Sequence, residues 1–168
     1  MNTIYLITGP AGVGKSTISL KIAQSLDKSV LIEGDTIYHL VEGGYVAPWK
    51  EGNYLDFYFK NILSLIKNAL EDGFDVVHNY ILDKKQIASI KKNFPHAKIK
   101  FVCLMVDEET IIQRDKLRDP DCQMGERSLI LLQEMKEANF DQNNILDTSH
   151  LSIDETWQEI LANDRFII

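Results

Sequence analysis

The sequence predicts one α/β domain, five strands in a parallel sheet flanked by helices. Short apolar runs rich in β-branched residues alternate with longer stretches of helical period, the pattern left by a parallel sheet with helices on its faces. A glycine-rich turn stands at the first strand-to-helix junction. The chain has 168 residues, 45% hydrophobic and 26% charged, which is apolar material for one sizeable core and little for a second. No repeat, low-complexity tract or linker divides it, so residues 1–168 read as a single unit.

Each element has its own signal. TIYLIT (Thr3 to Thr8) is a strand that stops at Gly9, and Ile18, Ile22 and Leu26 then recur at helical spacing. SVLIE (Ser29 to Glu33) is the second strand and Gly34 ends it. Leu55, Phe59, Ile62 and Ile66 mark the core face of a longer helix. FDVVHNY (Phe74 to Tyr80) and KIKFVCLMV (Lys98 to Val106) are the third and fourth strands, and NILDT (Asn144 to Thr148) is a weaker fifth. In the last helix Ser152 and Glu155 fit an S-x-x-E capping box, with Ile153, Trp157, Ile160 and Leu161 along one side. The stretch RDKLRDPDCQMGER, Arg114 to Arg127, is broken by Pro120 and Gly125 and dominated by charge, so it reads as a short mobile lid.

Composition narrows the function classes. A formal net charge of −7 argues against broad adhesion to nucleic acid or an anionic membrane, both of which call for a surface excess of Lys and Arg. Cys103 lies in an apolar run and Cys122 in a polar one, without the spacing of a zinc site or a disulfide framework. A reducing, cytoplasmic setting is expected. MNTIYLITG lacks the basic start and apolar length of a signal peptide, and no run approaches the length of a membrane span.

The turn GPAGVGKST, Gly9 to Thr17, matches G-x-x-x-x-G-K-[ST]. It follows a strand and opens an amphipathic helix, the context in which glycines let successive N–H groups approach a phosphate at a helix N-terminus. Gly9, Ala11, Gly12, Val13, Gly14, Lys15, Ser16 and Thr17 are the candidate nucleotide contacts. Lys15 would reach the β- and γ-phosphates and the Ser16 hydroxyl would ligate Mg²⁺. The N-K-x-D and D-x-x-G motifs of a GTPase do not occur, and the small size favours a phosphotransferase over a motor. The fourth run does end in Val106-Asp107-Glu108, a sign shared with larger ATPases.

A second constellation is Glu33-Gly34-Asp35. Residues two apart on an extended chain point to one side, so both carboxylates would emerge at the carboxyl end of the sheet, where open α/β folds bind ligands. Glu33 would help to hold Mg²⁺, Asp35 would orient the acceptor hydroxyl or accept its proton, and Gly34 would leave room for the acceptor. The competing reading makes Asp35 the cap of the following helix.

The P-loop, a strand ending in x-G-D, an R-x-x-x-R pair and a late DTSHLS segment together resemble the small P-loop kinases of metabolites. Gluconate kinase, shikimate kinase and chloramphenicol phosphotransferase belong to that group, and the gluconate kinase-like members are the nearest. The resemblance implies a P-loop NTPase fold, ATP with Mg²⁺, and transfer of the γ-phosphoryl to a hydroxyl of a small molecule. It makes Glu33 the counterpart of the first acid in a D-G-D triplet. Arg114 and Arg118 become lid arginines on one helix face that neutralise the transferring phosphoryl; the alternative is a solvated face of charges that pair among themselves. DTSHLS (Asp147 to Ser152) would lie beside the adenine.

The acceptor site is expected among the strand end at Asp35, the segment His39 to Tyr54 and the end of VVHNY, with His39, Trp49, His78 and Asn79 as candidate contacts. Trp49 reads either as an aromatic wall of that site or as a buried stabilising residue, and His78 either as a contact or as a satisfied core histidine. No Arg precedes Arg114, so a neutral, hydroxyl-rich acceptor, including an antibiotic, fits at least as well as an anionic one. A monomer or weak homodimer is expected. The rival from another class is a nucleotide-binding sensor that hydrolyses ATP slowly and has no small-molecule acceptor.

Overall fold

The computed structural model describes residues 2–168. Its sheet holds five parallel strands, β1 (Thr3–Thr8), β2 (Ser29–Glu33), β3 (Asp75–Asn79), β4 (Lys98–Met105) and β5 (Ile145–Asp147), in the order β2-β3-β1-β4-β5. Seven α-helices accompany them among the described residues: α1 (Lys15–Ser25), α2 (Gly34–Tyr38), α3 (Leu55–Glu71), α4 (Lys84–Asn93), α5 (Glu108–Lys116), α6 (Glu126–Glu137) and α7 (Ile153–Ala162). β1 and β2 have the bounds of their apolar runs, and the other three strands are a residue or two shorter.

The order of strands sets the position of the site. β1 is central, so Ile4, Leu6 and Ile7 are wholly buried. From β1 the chain runs outward past β3 to β2, then returns through β3 and crosses to β4 on the other side. Right-handed crossovers therefore put α1 on one face and α3 and α4 on the other. Helix α7 packs with α1, and α3 packs with α4. Ile7 lies opposite Asn79, and Asn79 opposite Glu33, so β1, β2 and β3 end level with one another. The crevice at that end is where the topology reverses.

Packing confirms the stripe of α1, where Ile18 and Ile22 are buried, and shifts the other two. In α3 the buried residues are Tyr58, Ile62, Ile66 and Ala69, while Leu55 and Phe59 flank the core. The stripe is turned toward Tyr58 because that hydroxyl finds a buried partner, Nε2 of His78 at 3.1 Å. In α7 the capping box forms, with Ser152 Oγ accepting from Glu155 N at 3.2 Å and Glu155 Oε2 accepting from Ser152 N at 2.9 Å. Ile153, the first residue after this cap, faces outward and Thr156 is buried, while Ile160 is buried and Trp157 and Leu161 flank the core as the stripe expects.

After α7 the chain returns to β4: Ile168 N–H donates to Ile99 O at 3.0 Å, and Ile167 bridges antiparallel to Lys100. Lys100 is only 2% exposed. Its ammonium donates to Ile160 O, Leu161 O and Asn163 O at 3.2, 2.7 and 3.1 Å, capping the carbonyl end of α7. Lys100→Met leaves those carbonyls without their donor, and chemical denaturation should show a loss of about 1–3 kcal/mol.

Candidate active site

The glycine-rich turn connects β1 to α1. Gly9 has φ of 141°, in the left-handed range, and a Cβ there would run into the Leu104 carbonyl oxygen of β4. The loop is thereby pressed against the sheet. Lys15 folds over it and donates from Nζ to Gly9 O at 2.9 Å and Pro10 O at 2.8 Å. Burial lowers the Lys15 pKa to about 8; the Asp35 carboxylate opposes that shift and the Arg118 guanidinium adds to it. Lys15 therefore stands among the charged groups the sequence singled out. Ala11, Gly12 and Gly14 are half-buried along the loop, Val13 is buried, and Ser16 and Thr17 are open to solvent at the start of α1.

The two candidate metal ligands meet here. Ser16 Oγ donates to Glu33 Oε2 at 3.2 Å, joining the helix start to the end of β2. A hydroxyl and a carboxylate are hard oxygen donors, and Mg²⁺ characteristically takes one or two protein oxygens and completes its shell with water and phosphate, so this pair fits it. Among the described residues no group of three or more His, Cys, Asp or Glu side chains is placed to hold a metal by itself.

Asp35 is exposed in the first turn of α2. The N-cap position belongs to Glu33, and no side chain caps this helix, so Asp35 is not its cap. Gly34 is buried, and the space above it is taken: a Cβ there would lie 2.5–2.7 Å from the Tyr80 side chain. The room expected for an acceptor at Gly34 is filled by that ring, which seats the start of α2 against the end of β3. Gly34→Ala overpacks a well-filled spot and should cost about 1–3 kcal/mol in a denaturation experiment.

The segment after Asp35 is pinned by Tyr38, whose buried hydroxyl donates to Val46 O at 2.7 Å and accepts from Tyr54 N–H at 3.2 Å. His39 Nδ1 lies 2.6 Å from Asp35 O; a carbonyl only accepts, so this nitrogen carries the proton. The His39 ring stacks on Tyr45 at 5.3 Å with its Nε2 3.3 Å from the Tyr45 hydroxyl. Trp49 is 59% exposed, which excludes a buried stabilising role. It faces Arg127 of α6, whose guanidinium carbon is 5.6 Å from its ring centroid.

His78 and Asn79 fall on opposite sides of β3. His78 is fully buried, with Nδ1 donating to Ile32 O at 2.9 Å and Nε2 accepting from Tyr58. Burial lowers its pKa to about 4. With both ring nitrogens engaged, His78 is a satisfied core histidine tying β3 to β2, not an acceptor contact. Asn79 is 3% exposed and its Nδ2 has no hydrogen-bond partner. By strand alternation it faces the α1 side, level with Glu33.

The two arginines separate. Arg114 is in α5 and donates to Val13 O at 3.0 Å, Thr148 O at 3.0 Å and Thr148 Oγ1 at 3.4 Å. It clasps the glycine loop to the DTSHLS segment. Arg118 does not share its helix face, because α5 ends at Lys116 and the chain turns toward Pro120, whose ring disfavours helix before it. Arg118 bonds Asp115 at 3.4 Å instead. Asp115 was not evident from sequence. Its carboxylate accepts from Met124 N at 3.0 Å and Gly125 N at 2.8 Å, folding the stretch after α5 back onto that helix. Burial pushes its pKa up, but these N–H groups and Arg118 outweigh that and hold it low. Asp107, of the Asp-Glu pair that ends the fourth apolar run, accepts from Thr110 N at 2.7 Å and caps α5.

No family model and no curated protein sequence matches the chain. Solved structures do. A tunicamycin resistance protein of Deinococcus radiodurans matches with a TM-score of 0.71 and 16% identity over 96% of this chain and 95% of that one. A gluconokinase from Sinorhizobium meliloti 1021 matches at 0.68 and 21% identity, over 96% and 90%. A sugar kinase from Janibacter sp. HTCC2649 matches at 0.69 and 15% identity, over 95% and 96%. At such identities the likeness concerns the backbone, and together with the sheet order and the glycine loop it shows that this chain has the α/β P-loop NTPase fold that these kinases use.

Proposed function

We propose that the protein is an ATP-dependent phosphotransferase that moves the γ-phosphoryl to a hydroxyl of a small molecule, nearest in kind to gluconate kinase-like enzymes. The observation that carries this reading is the exposed Asp35 carboxylate at the carboxyl end of the sheet, beside Lys15 and the Ser16–Glu33 pair. Residues Gly9 to Thr17 would hold the triphosphate, with Lys15 on the β/γ oxygens. Ser16 and Glu33 would hold Mg²⁺, which when bound neutralises charge on those oxygens. Asp35 accepts the proton as the acceptor oxygen bonds to the γ-phosphorus and the bond to the β,γ-bridging oxygen breaks, releasing ADP. Arg118 supplies positive charge from the lid side, and Arg114 holds the loop's shape. Among the described residues no helix is long and apolar enough to cross a membrane.

The likeness to a tunicamycin resistance protein favours a hydroxylated antibiotic as the second reading of the acceptor. ADP release by the purified protein with Mg²⁺-ATP should rise well above background with one member of a panel of sugar acids, polyols, shikimate, nucleosides and hydroxylated antibiotics. A flat panel with measurable ATP binding would replace this reading by the sensor.

A further inference from the structure

We infer that the acceptor is a ring-bearing alcohol without negative charge, held against aromatic side chains of the segment between α2 and α3; the inference rests on the phosphotransferase reading. Four of the large apolar side chains left open to solvent fall within this stretch of the chain: Leu40 at 63%, Tyr45 at 42%, Trp49 at 59% and Phe57 at 51%. Tyr45 is joined to Asp35 by a short path, stacking on the His39 ring that bonds the Asp35 carbonyl. It also meets the buried Tyr38 edge-on at 5.9 Å, so the ring is braced from behind. Deeper in, Tyr58 and Tyr80 stand 4.5 Å apart, and Tyr80 floors Gly34. The exposed ring beside the proton-accepting carboxylate is therefore Tyr45, backed by the buried Tyr38 and by His39, which suits the flat face of a ring.

Charge decides against an anion. Between Asp35 and Asp56 the sequence holds Asp35, Glu42, Glu51 and Asp56 against one cation, Lys50, with His39 as the only other titratable base. The arginine that meets this segment, Arg127, lies over the Trp49 face and 3.6 Å from Glu134, and its Nε, which has no hydrogen-bond partner, is buried away from the surface. Lys15 and Arg118 stand on the phosphate side. A carboxylate or phosphate on the acceptor would enter an acidic surround in which the Arg127 guanidinium is turned toward Trp49 and Glu134.

The test measures phosphorylated product and ADP with Mg²⁺-ATP across ring alcohols matched in skeleton but different in charge: glucose, glucosamine and glucuronate; uridine and uridine 5′-monophosphate; and neutral, cationic and acidic hydroxylated antibiotics. Turnover confined to uncharged or cationic members is the expected result. With that acceptor, Tyr45→Ala and Trp49→Ala should each raise KM up to about tenfold, the worth of one aromatic contact. Preference for an acidic member, or a KM unmoved in both variants, overturns the inference while leaving the kinase reading in place. Turnover with no class, while ATP still binds in a Lys15-dependent way, overturns the phosphotransferase reading and this inference with it.

Discussion

Lys15→Met is expected to lower phosphoryl transfer by about 10³-fold or more, since it removes the one flexible cation aimed at charge that develops on the β/γ oxygens. Without nucleotide, its Nζ is parked on Gly9 O and Pro10 O. Those two bonds are on a half-buried side chain at the loop's rim, so methionine should leave the fold intact. Wild-type turnover in this variant would remove the phosphate-loop assignment. The same residue gives a pH signature. Its pKa is lowered to about 8 against 10.5 for a free lysine, so between these values the unfolded chain binds more protons than the folded one. Stability from this group therefore rises with pH across that window, and the cost of holding it charged is fully present below pH 8. Phosphate oxygens favour the ammonium. ATP binding above pH 8 should take up a proton, seen by calorimetry in buffers of different ionisation heat, and Lys15→Met should abolish the uptake.

Asp35→Asn should reduce kcat by about 10²–10⁴ if the carboxylate accepts the acceptor's proton. Asparagine keeps the size and loses the basicity. Because Glu33 holds the N-cap position of α2, the stability change should stay below about 1 kcal/mol, the worth of a carboxylate near a helix start. A larger loss of stability with normal kcat would return Asp35 to a purely structural role. Measuring kcat and a denaturation midpoint on one preparation separates the two.

The parts of the site legible in the sequence are those made by neighbours along the chain. GPAGVGKST and EGD each end an apolar run at a glycine, and strand ends level in the sheet bring Ser16 within hydrogen-bond reach of Glu33. What was misread depends on partners far away. Tyr58 did not count as core until His78 met its hydroxyl, and the same bond withdraws His78 from the acceptor list. Arg118 follows Arg114 by one helical turn in number only, since the approach to Pro120 ends the helix first. Asp115 left no periodic trace, because its partners Met124 and Gly125 belong to a loop whose shape it creates. Ile153 shows the limit of pattern reading at a helix end, where the first residue after a cap is free to face either way.

The contact between Trp49 and Arg127 links two otherwise separate parts of the chain. Arg127 opens α6, α6 packs on α5, and α5 carries the Arg114 that clasps the glycine loop. In the proposed kinase, an acceptor that moved Trp49 would disturb contacts that reach the glycine loop. Thermodynamic reciprocity then fixes a relation between the two ligands: whatever factor the acceptor imposes on ATP affinity, ATP must impose on the affinity for the acceptor.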